Sequence, residues 1–370
     1  MALGAGRRAR GCRVTRARYV EVCAGAGGMG LGLHLAGWTG TGMEIDADAV
    51  ATHNANVGPC LAADITTASA PHAADLVAGG VPCQSFSLAG KGAGLADPRG
   101  QLFASLLRIG VEAGARCILL ENVRGLVSCG ALPVILHAFR AAGYEPVHAL
   151  LCAADYGVPQ NRVRLFIAGF RCADDLARFH WPAPSHGAPG NLYGLPQWRT
   201  VRDALGLGGG AFAHGLLPHA DPGSPQGMRV LDVDAPAPTV GGHTADLLDR
   251  PSPTVTGQVQ DLSFGSAHSR DPLRAALLAA GLIDRPATTD DSRGSLLKAG
   301  HHESNKTGAV RMTVAQLAAL QSFPAGFAFH GNTTAQHKQC GNAVPPLLAR
   351  ALGVAIHRAL YGAVALAGAA

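Results

Sequence analysis

The feature that most constrains the fold is a run of glycines between a strand and a helix. In EVCAGAGGMGLG, from Glu21 to Gly32, glycine stands at positions 25, 27, 28, 30 and 32. The preceding residues, Tyr19 to Cys23, read as a strand, and those after the loop, through His34, read as a helix. Glycine lets a backbone adopt positive φ and approach a ligand closely, while a helix N-terminus offers free N–H donors. Dehydrogenases and many nucleotide binders share such a loop, so it fixes an architecture before it fixes a chemistry.

The rest of the first half agrees with that architecture. Thr41 to Ile45 reads as a second strand followed by a helix over Asp46 to Asn54, and the apolar runs Asp75 to Ala78 and Cys117 to Leu120 end in polar turns. Strands alternating with helices predict a doubly wound α/β domain, in which ligands bind at the carboxyl edge of a parallel sheet. Residues 144 to 169 read as two strands joined by the DYGVPQNR turn, adding antiparallel edge strands to make a mixed sheet with helices on both faces. From about residue 173 the composition shifts to Pro, Gly, His and Asp, which predicts a smaller loop-rich or β domain. There DAPAPTVGG, from Asp234, is echoed by DRPSPTVTG, from Asp249. Two proline-led turns feeding short strands, or a direct recognition role, would each account for the echo. Thr313 and Gln316 form a capping-box pair that starts a helix with an apolar stripe of Val314, Leu317, Ala318 and Leu320, and Pro345 to Leu366 reads as a last helix. The expected units are an Arg-rich leader (1–18), a catalytic domain (19–172 with 331–370) and a second domain (173–330).

Several residues at the expected edge carry chemistry. Glu44, at the end of the second strand, is placed to accept from two ribose hydroxyls, and Asp64, near a possible third strand, to accept from an adenine amino group. Helix capping or a surface position would explain either acid equally simply. In GGVPCQSFSLAGKGAGLADPRGQLF, from Gly79 to Phe103, Pro82 stiffens a turn that presents Cys83 ahead of a long glycine-rich loop with Lys91 and Arg99. A cysteine is usually a small buried hydrophobe; one in a turn beside basic residues is a candidate nucleophile. Ile118 to Leu120 lead into Glu121 and Asn122, which sets a carboxylate at the end of a neighbouring strand, where a closed pocket could make it a proton donor. In QNRVR, strand alternation sends Arg162 and Arg164 to one face, suited to a phosphate or a base carbonyl.

These motifs, with RMTVAQLAALQSFP from Arg311 and GNAVPP from Gly341, stand in the order found in the cytosine-carbon-5 DNA methyltransferases of bacterial restriction and modification systems. The chain resembles that family from about Tyr19 to Arg350. The resemblance implies a Rossmann-like domain dependent on S-adenosylmethionine, with the second domain recognising the DNA target. It implies Cys83 as the covalent nucleophile on cytosine carbon 6, Glu121 as the group that binds and protonates ring N3, and Arg162 and Arg164 in the same site. Arg164 would support the cytosine carbonyl or the cysteine. Cys23, Ala24, Gly25, Ala26, Gly28, Glu44, Ile45, Asp64, Ile65, Pro82, Asn342 and Val344 would form the cofactor pocket. Gln84, Ser87, Arg99 and Arg162 would contact DNA, and Thr239 or its echo Thr254, each followed by a valine, would begin a recognition loop. Two residues depart from the family pattern: Cys23 replaces the aromatic residue usual in the glycine loop, and Gln316 replaces an acid.

Charge supports a local rather than a global DNA-binding surface. The net charge of +5 includes six arginines within residues 1–18, so the remainder carries a formal −1. Nine scattered cysteines without a CxxC pair fit a reducing compartment, and no metal site is expected. The expected protein is a cytoplasmic, nucleoid-associated monomer with duplex DNA as partner, no membrane, and a cognate restriction endonuclease acting on the same sequence. An RNA (tRNA) cytosine-5 methyltransferase and a noncatalytic DNA-binding accessory are the other readings. The long region between QNRVR and Arg311 argues against the first, and intact Cys83, Glu121 and Arg164 against the second.

Overall fold

Along the first strands the side chains alternate between two faces, and both faces are buried. The computed structural model describes residues 17–82, 100–128, 130–206, 235–238 and 313–362. Its elements run β1 (Arg18–Val22), α1 (Gly28–Leu35), β2 (Thr39–Glu44), α2 (Ala47–Asn56), β3 (Cys60–Ala62), β4 (Leu76–Gly79) and α3 (Gly100–Glu112). Next come β5 (Cys117–Val123), α4 (Gly125–Ser128), α5 (Leu132–Ala141), β6 (Glu145–Cys152), β7 (Gln160–Asn161) and β8 (Val163–Phe170). The chain continues with α6 (Ala173–Arg178), α7 (Val201–Leu205), β9 (Ala237–Pro238), α8 (Val314–Leu320), α9 (Thr333–Asn342) and α10 (Pro346–Tyr361).

Seven strands form one sheet in the order β3-β2-β1-β4-β5-β8-β6. The first five are mutually parallel, whereas β8 runs antiparallel to both β5 and β6. This is the expected mixed sheet. Tyr19, Leu76, Ala78, Cys117 and Leu119 face one core with Met29 and Leu33 of α1 and Leu348, Leu352 and Ile356 of α10. Val20, Val22, Val77, Ile118 and Leu120 face the other, with Leu106 of α3 and Phe139 of α5. Period-two alternation with apolar residues at every position is what a sheet covered by helices on both faces requires.

Small residues bring the first and last parts of the chain together. A Cβ on Gly28 would overlap the carbonyl of Val344, and one on Gly32 would overlap Ala349 and the carbonyl of Pro346. Helix α8 starts with both halves of the expected capping box: Thr313 Oγ1 accepts from Gln316 N at 3.2 Å, and Gln316 Oε1 accepts from Thr313 N at 2.9 Å. Leu317, Ala318 and Leu320 are buried as the stripe predicts.

Core packing continues past residue 172, where composition alone draws a boundary. Phe179 joins the core on the α10 side, with Leu176 and Trp181 packed against it. Asp175 of α6 is buried and is held by Arg116 Nη2 at 2.8 Å and by Arg178. Residues 173–181 thus look polar in sequence while serving the first core. Among the described residues, no helix is long and apolar enough to cross a membrane.

Candidate active site

The cofactor half of the sheet edge is organised around Glu44. Its Oε2 accepts from Gly25 N at 2.8 Å, and its Oε1 accepts from Ile45 N at 2.8 Å and Asp46 N at 3.0 Å. A carboxylate gripped by three backbone N–H groups is fixed in direction and keeps a lone pair on Oε2 for a hydroxyl donor. Ile45 beside it is 70% exposed, an apolar surface at the loop mouth. Gly25 has φ +53 and its missing Cβ would meet nothing, so the loop leaves open space there. Gly27, at φ 87, caps α1, whose first turn is backed by Val344.

Other expected pocket residues collect in the same place. Cys23 lies at positive φ, and burial, followed by the charges of Glu44, Glu21 and Asp64, pushes its thiol up to about 12. Ala24 N donates to Met43 O at 3.1 Å, holding the loop to β2; Ala24, Ala26 and Ile65 are buried, while Pro82 is exposed. Asp64 follows β3 and accepts from Thr66 N at 2.9 Å and Thr66 Oγ1 at 2.7 Å, hydrogen bonds that hold its carboxyl below the ordinary range. These bonds close a turn rather than cap a helix, and Asp64 stays exposed at the edge. A directed carboxylate, an exposed apolar side chain and an open glycine fit a ribose-bearing cofactor.

The target half lies across β4 and β5. Glu121 is buried, with Oε1 3.1 Å from Arg164 Nε, also buried. Register explains the meeting: β8 runs antiparallel to β5 and sets Arg164 opposite Val123, two residues beyond Glu121 and on the same face of the sheet. A Cβ on Gly80 would lie 3.0 Å from Glu121 Oε2, so the chain passes the carboxylate closely just before residue 83. Asn122 Nδ2 donates to Val81 O at 3.1 Å and ties the same segment to β5. Sequence marks Asn122 only as a neighbour of Glu121; its bond needs the relative placement of two strands.

The two arginines of QNRVR have different hydrogen-bonding partners within one neighbourhood, where Arg164 and Glu121 both bear on Arg162. Arg162 falls between β7 and β8, is only 2% exposed, and donates from Nη1 to Gly341 O at 3.0 Å. Burial, then the charge of Arg164, holds its guanidinium well below the ordinary arginine range. The bond to the Gly341 carbonyl turns one guanidinium nitrogen of Arg162 to that segment. Gln160 is fully buried, and its backbone pairs with Ala237 of β9, immediately before Thr239. The DAPAP segment is therefore anchored on QNRVR. Cys83, Gln84, Ser87, Arg99, Thr239 and Thr254 lie outside the described residues.

Sequence reasoning missed one buried pair. Glu21 Oε2 and His53 Nε2 stand 3.7 Å apart beneath Gly30 of α1. His53 Nδ1 faces the carbonyl of Gly58 at 3.0 Å, and Tyr19 Oη meets His34 Nε2 at 3.2 Å close by. An acid inside an otherwise apolar strand was the available signal. Strand parity puts Glu21 on the Tyr19 face, toward α1.

The chain is similar to known proteins. A model of the family described as C-5 cytosine-specific DNA methylase matches residues 17–205 and 256–358. Type II methyltransferase M1.HphI of Haemophilus parahaemolyticus is 32% identical over 361 residues, covering 91% of this chain and 86% of that protein. Type II methyltransferase M.AquIA of a Picosynechococcus strain is 37% identical over 245 residues, 58% of this chain and 94% of its own length. The crystal structure of S. pombe Dnmt2 methyltransferase has a TM-score of 0.58 at 18% identity, covering 94% of this chain and all of that one (100%), a likeness of fold.

Proposed function

The chain belongs to the C-5 cytosine-specific DNA methylase family, and from that premise we propose that it methylates carbon 5 of a cytosine in a specific duplex DNA sequence through a covalent bond from Cys83. The observation that carries the reading is the buried Glu121, 3.1 Å from Arg164 and in contact range of Gly80, three residues before Cys83. An acid, a guanidinium and the approach to a thiol thereby share one site.

Carbon 6 of a paired, stacked cytosine is shielded, so the base is extruded, at a cost of a few kcal/mol. The Cys83 thiolate adds to carbon 6, and the displaced ring electrons make carbon 5 nucleophilic. Glu121 holds a proton at N3, which limits the negative charge on the ring, and Arg164 supports the carbonyl at carbon 2. S-adenosylmethionine supplies the methyl group when bound and departs as S-adenosylhomocysteine. A water or hydroxide then takes the proton from carbon 5, the carbon 6–sulfur bond breaks, and Cys83 regains its thiolate. One methyl group replaces one proton.

In this reading Glu44 accepts from the ribose hydroxyls, Ile45 lies against the adenine, and Asp64 with Ile65 meets its amino edge. The loop Cys23, Ala24, Gly25, Ala26 and Gly28, together with Pro82, Asn342 and Val344, completes the pocket. Gln84, Ser87 and Arg99 contact DNA around the extruded base, and Thr239 or Thr254 begins target recognition. The protein acts as a monomer at the nucleoid beside a cognate endonuclease, with its units near the boundaries read from sequence.

Cys83→Ala is the test. Methyl transfer to duplex DNA is expected to vanish while S-adenosylmethionine binding by calorimetry survives, and only the parent protein should form a stable adduct with duplex DNA containing 5-fluorocytosine. Turnover by Cys83→Ala, or methylation of a transfer RNA transcript and not of duplex DNA, would overturn the proposal.

A further inference from the structure

Arg162 raises a physical problem that its surroundings answer. A guanidinium buried to 2% exposure beside a second arginine loses hydration and meets like charge. Glu121 offsets part of this. Another compensation lies at the end of α9, a ten-residue helix whose last carbonyls have no partner within the helix and carry its partial negative charge. Arg162 Nη1 donates to one of them, Gly341 O, at 3.0 Å. Gln321 Nε2 donates, also at 3.0 Å, to the neighbouring Cys340 O, which accepts from Ala343 N at 3.3 Å as well. The helix end is thus capped by side chains from two distant segments.

Beyond that helix end the chain runs directly onto the glycine loop. Ala343 turns to extended backbone at φ −63 and ψ 144, the Val344 carbonyl packs on Gly28, and Pro345 leads into α10. We infer that Arg162 is a positioning residue for the cofactor site: by capping α9 it sets Asn342–Val344 against the glycine loop. The inference rests on the reading of that loop as the S-adenosylmethionine site. Because Arg164, two residues on, faces Glu121, the same short segment ties the cofactor half of the site to the target half.

The test uses the full chain, S-adenosylhomocysteine as calorimetric probe, and a duplex of mixed sequence in a salt series. Arg162→Met is expected to raise the dissociation constant for the probe by about tenfold or more. It should raise KM for S-adenosylmethionine more than it lowers kcat, and leave the salt slope of DNA binding unchanged. Arg162→Lys, which keeps a donor for Gly341, should recover much of the affinity and fold even where the methionine variant does not. Faster amide exchange over residues 341–345 in the lysine variant than in the parent protein is also expected. Unchanged probe affinity in both variants, or a salt slope lowered by about one with affinity intact, overturns the inference and makes Arg162 a phosphate contact or a bystander. Failure of the parent protein to bind the probe overturns the cofactor reading instead.

Discussion

Two carboxylates at one edge of one sheet show how neighbours divide labour. Glu44 ends β2 and is held by three neutral backbone donors, from Gly25, Ile45 and Asp46. Glu121 lies near the end of β5, is buried, and faces the cationic Arg164. Backbone dipoles fix a direction for acceptance without supplying a mobile proton. A closed pocket with a cation beside it couples the carboxylate to charge that appears during reaction. Under the proposed function, that difference makes the Glu44 side the one for binding and the Glu121 side the one for chemistry.

Removing Glu121 should give the larger effect. Glu121→Gln keeps shape and a hydrogen-bonding group yet cannot donate an acid proton, and kcat in single-turnover methylation should fall by about 10² to 10⁴-fold. Affinity for S-adenosylhomocysteine should stay unchanged, and a kcat near that of the parent protein would erase the contrast. Glu44→Ala should act on binding: three N–H donors lose their acceptor, and hydrogen bonds to a charged group are worth about 1.5–3 kcal/mol each. Calorimetry should show cofactor affinity weaker by roughly 10 to 100-fold, with kcat at saturating cofactor within a few-fold of the parent. A collapse of kcat instead would give both carboxylates the same kind of role.

The smallest effect sharpens the comparison from behind the glycine loop. Burial raises Glu21 above its ordinary 4.5; burial also opposes charge on His53, but the Glu21 carboxylate outweighs it and moves His53 above 6.5. Both groups bind protons more tightly in the folded protein than in the unfolded one. Their contribution to stability is therefore fully present below pH 4.5 and is lost as pH rises through the two raised titrations. Glu21→Gln should flatten the decline in Tm between about pH 5 and 8. A decline of the same steepness in the variant would locate its origin elsewhere.

Much of this was legible from local pattern. The glycines between Val22 and Leu33, the two-sided alternation of β1, β4 and β5, and the Thr313–Gln316 cap depend on neighbours in sequence, where period and capping rules hold. The partners of QNRVR were not legible, because Arg162 lies between β7 and β8 rather than within one strand. Arg162 sits where the ladder breaks, with its carbonyl taken by Ala153 N, so its side chain goes to Gly341 while Arg164 goes to Glu121. The Glu21–His53 contact joins β1 to α2, and the Gln321–Cys340 bond joins α8 to α9. Neither spacing nor composition encodes such meetings. The polar look of residues 173–178 hid the burial of Asp175 beneath two half-exposed arginines.

The glycine contacts between α1 and α10 also set a clock for biosynthesis. Met29 and Leu33 are covered by residues of α10, which leave the ribosome about 300 residues later, roughly 15–60 s at 5–20 residues per second. Through that interval one face of the nascent sheet is only partly covered, by α1 and the segment around Phe179, a state suited to chaperone capture. Helix α10 is what ends it, and the cofactor loop gains its backing from Val344 only with that arrival. The onset of methylation is thereby tied to translation of the last long helix, so a ribosome stalled before it would leave a nascent chain with the glycine loop made but unsupported.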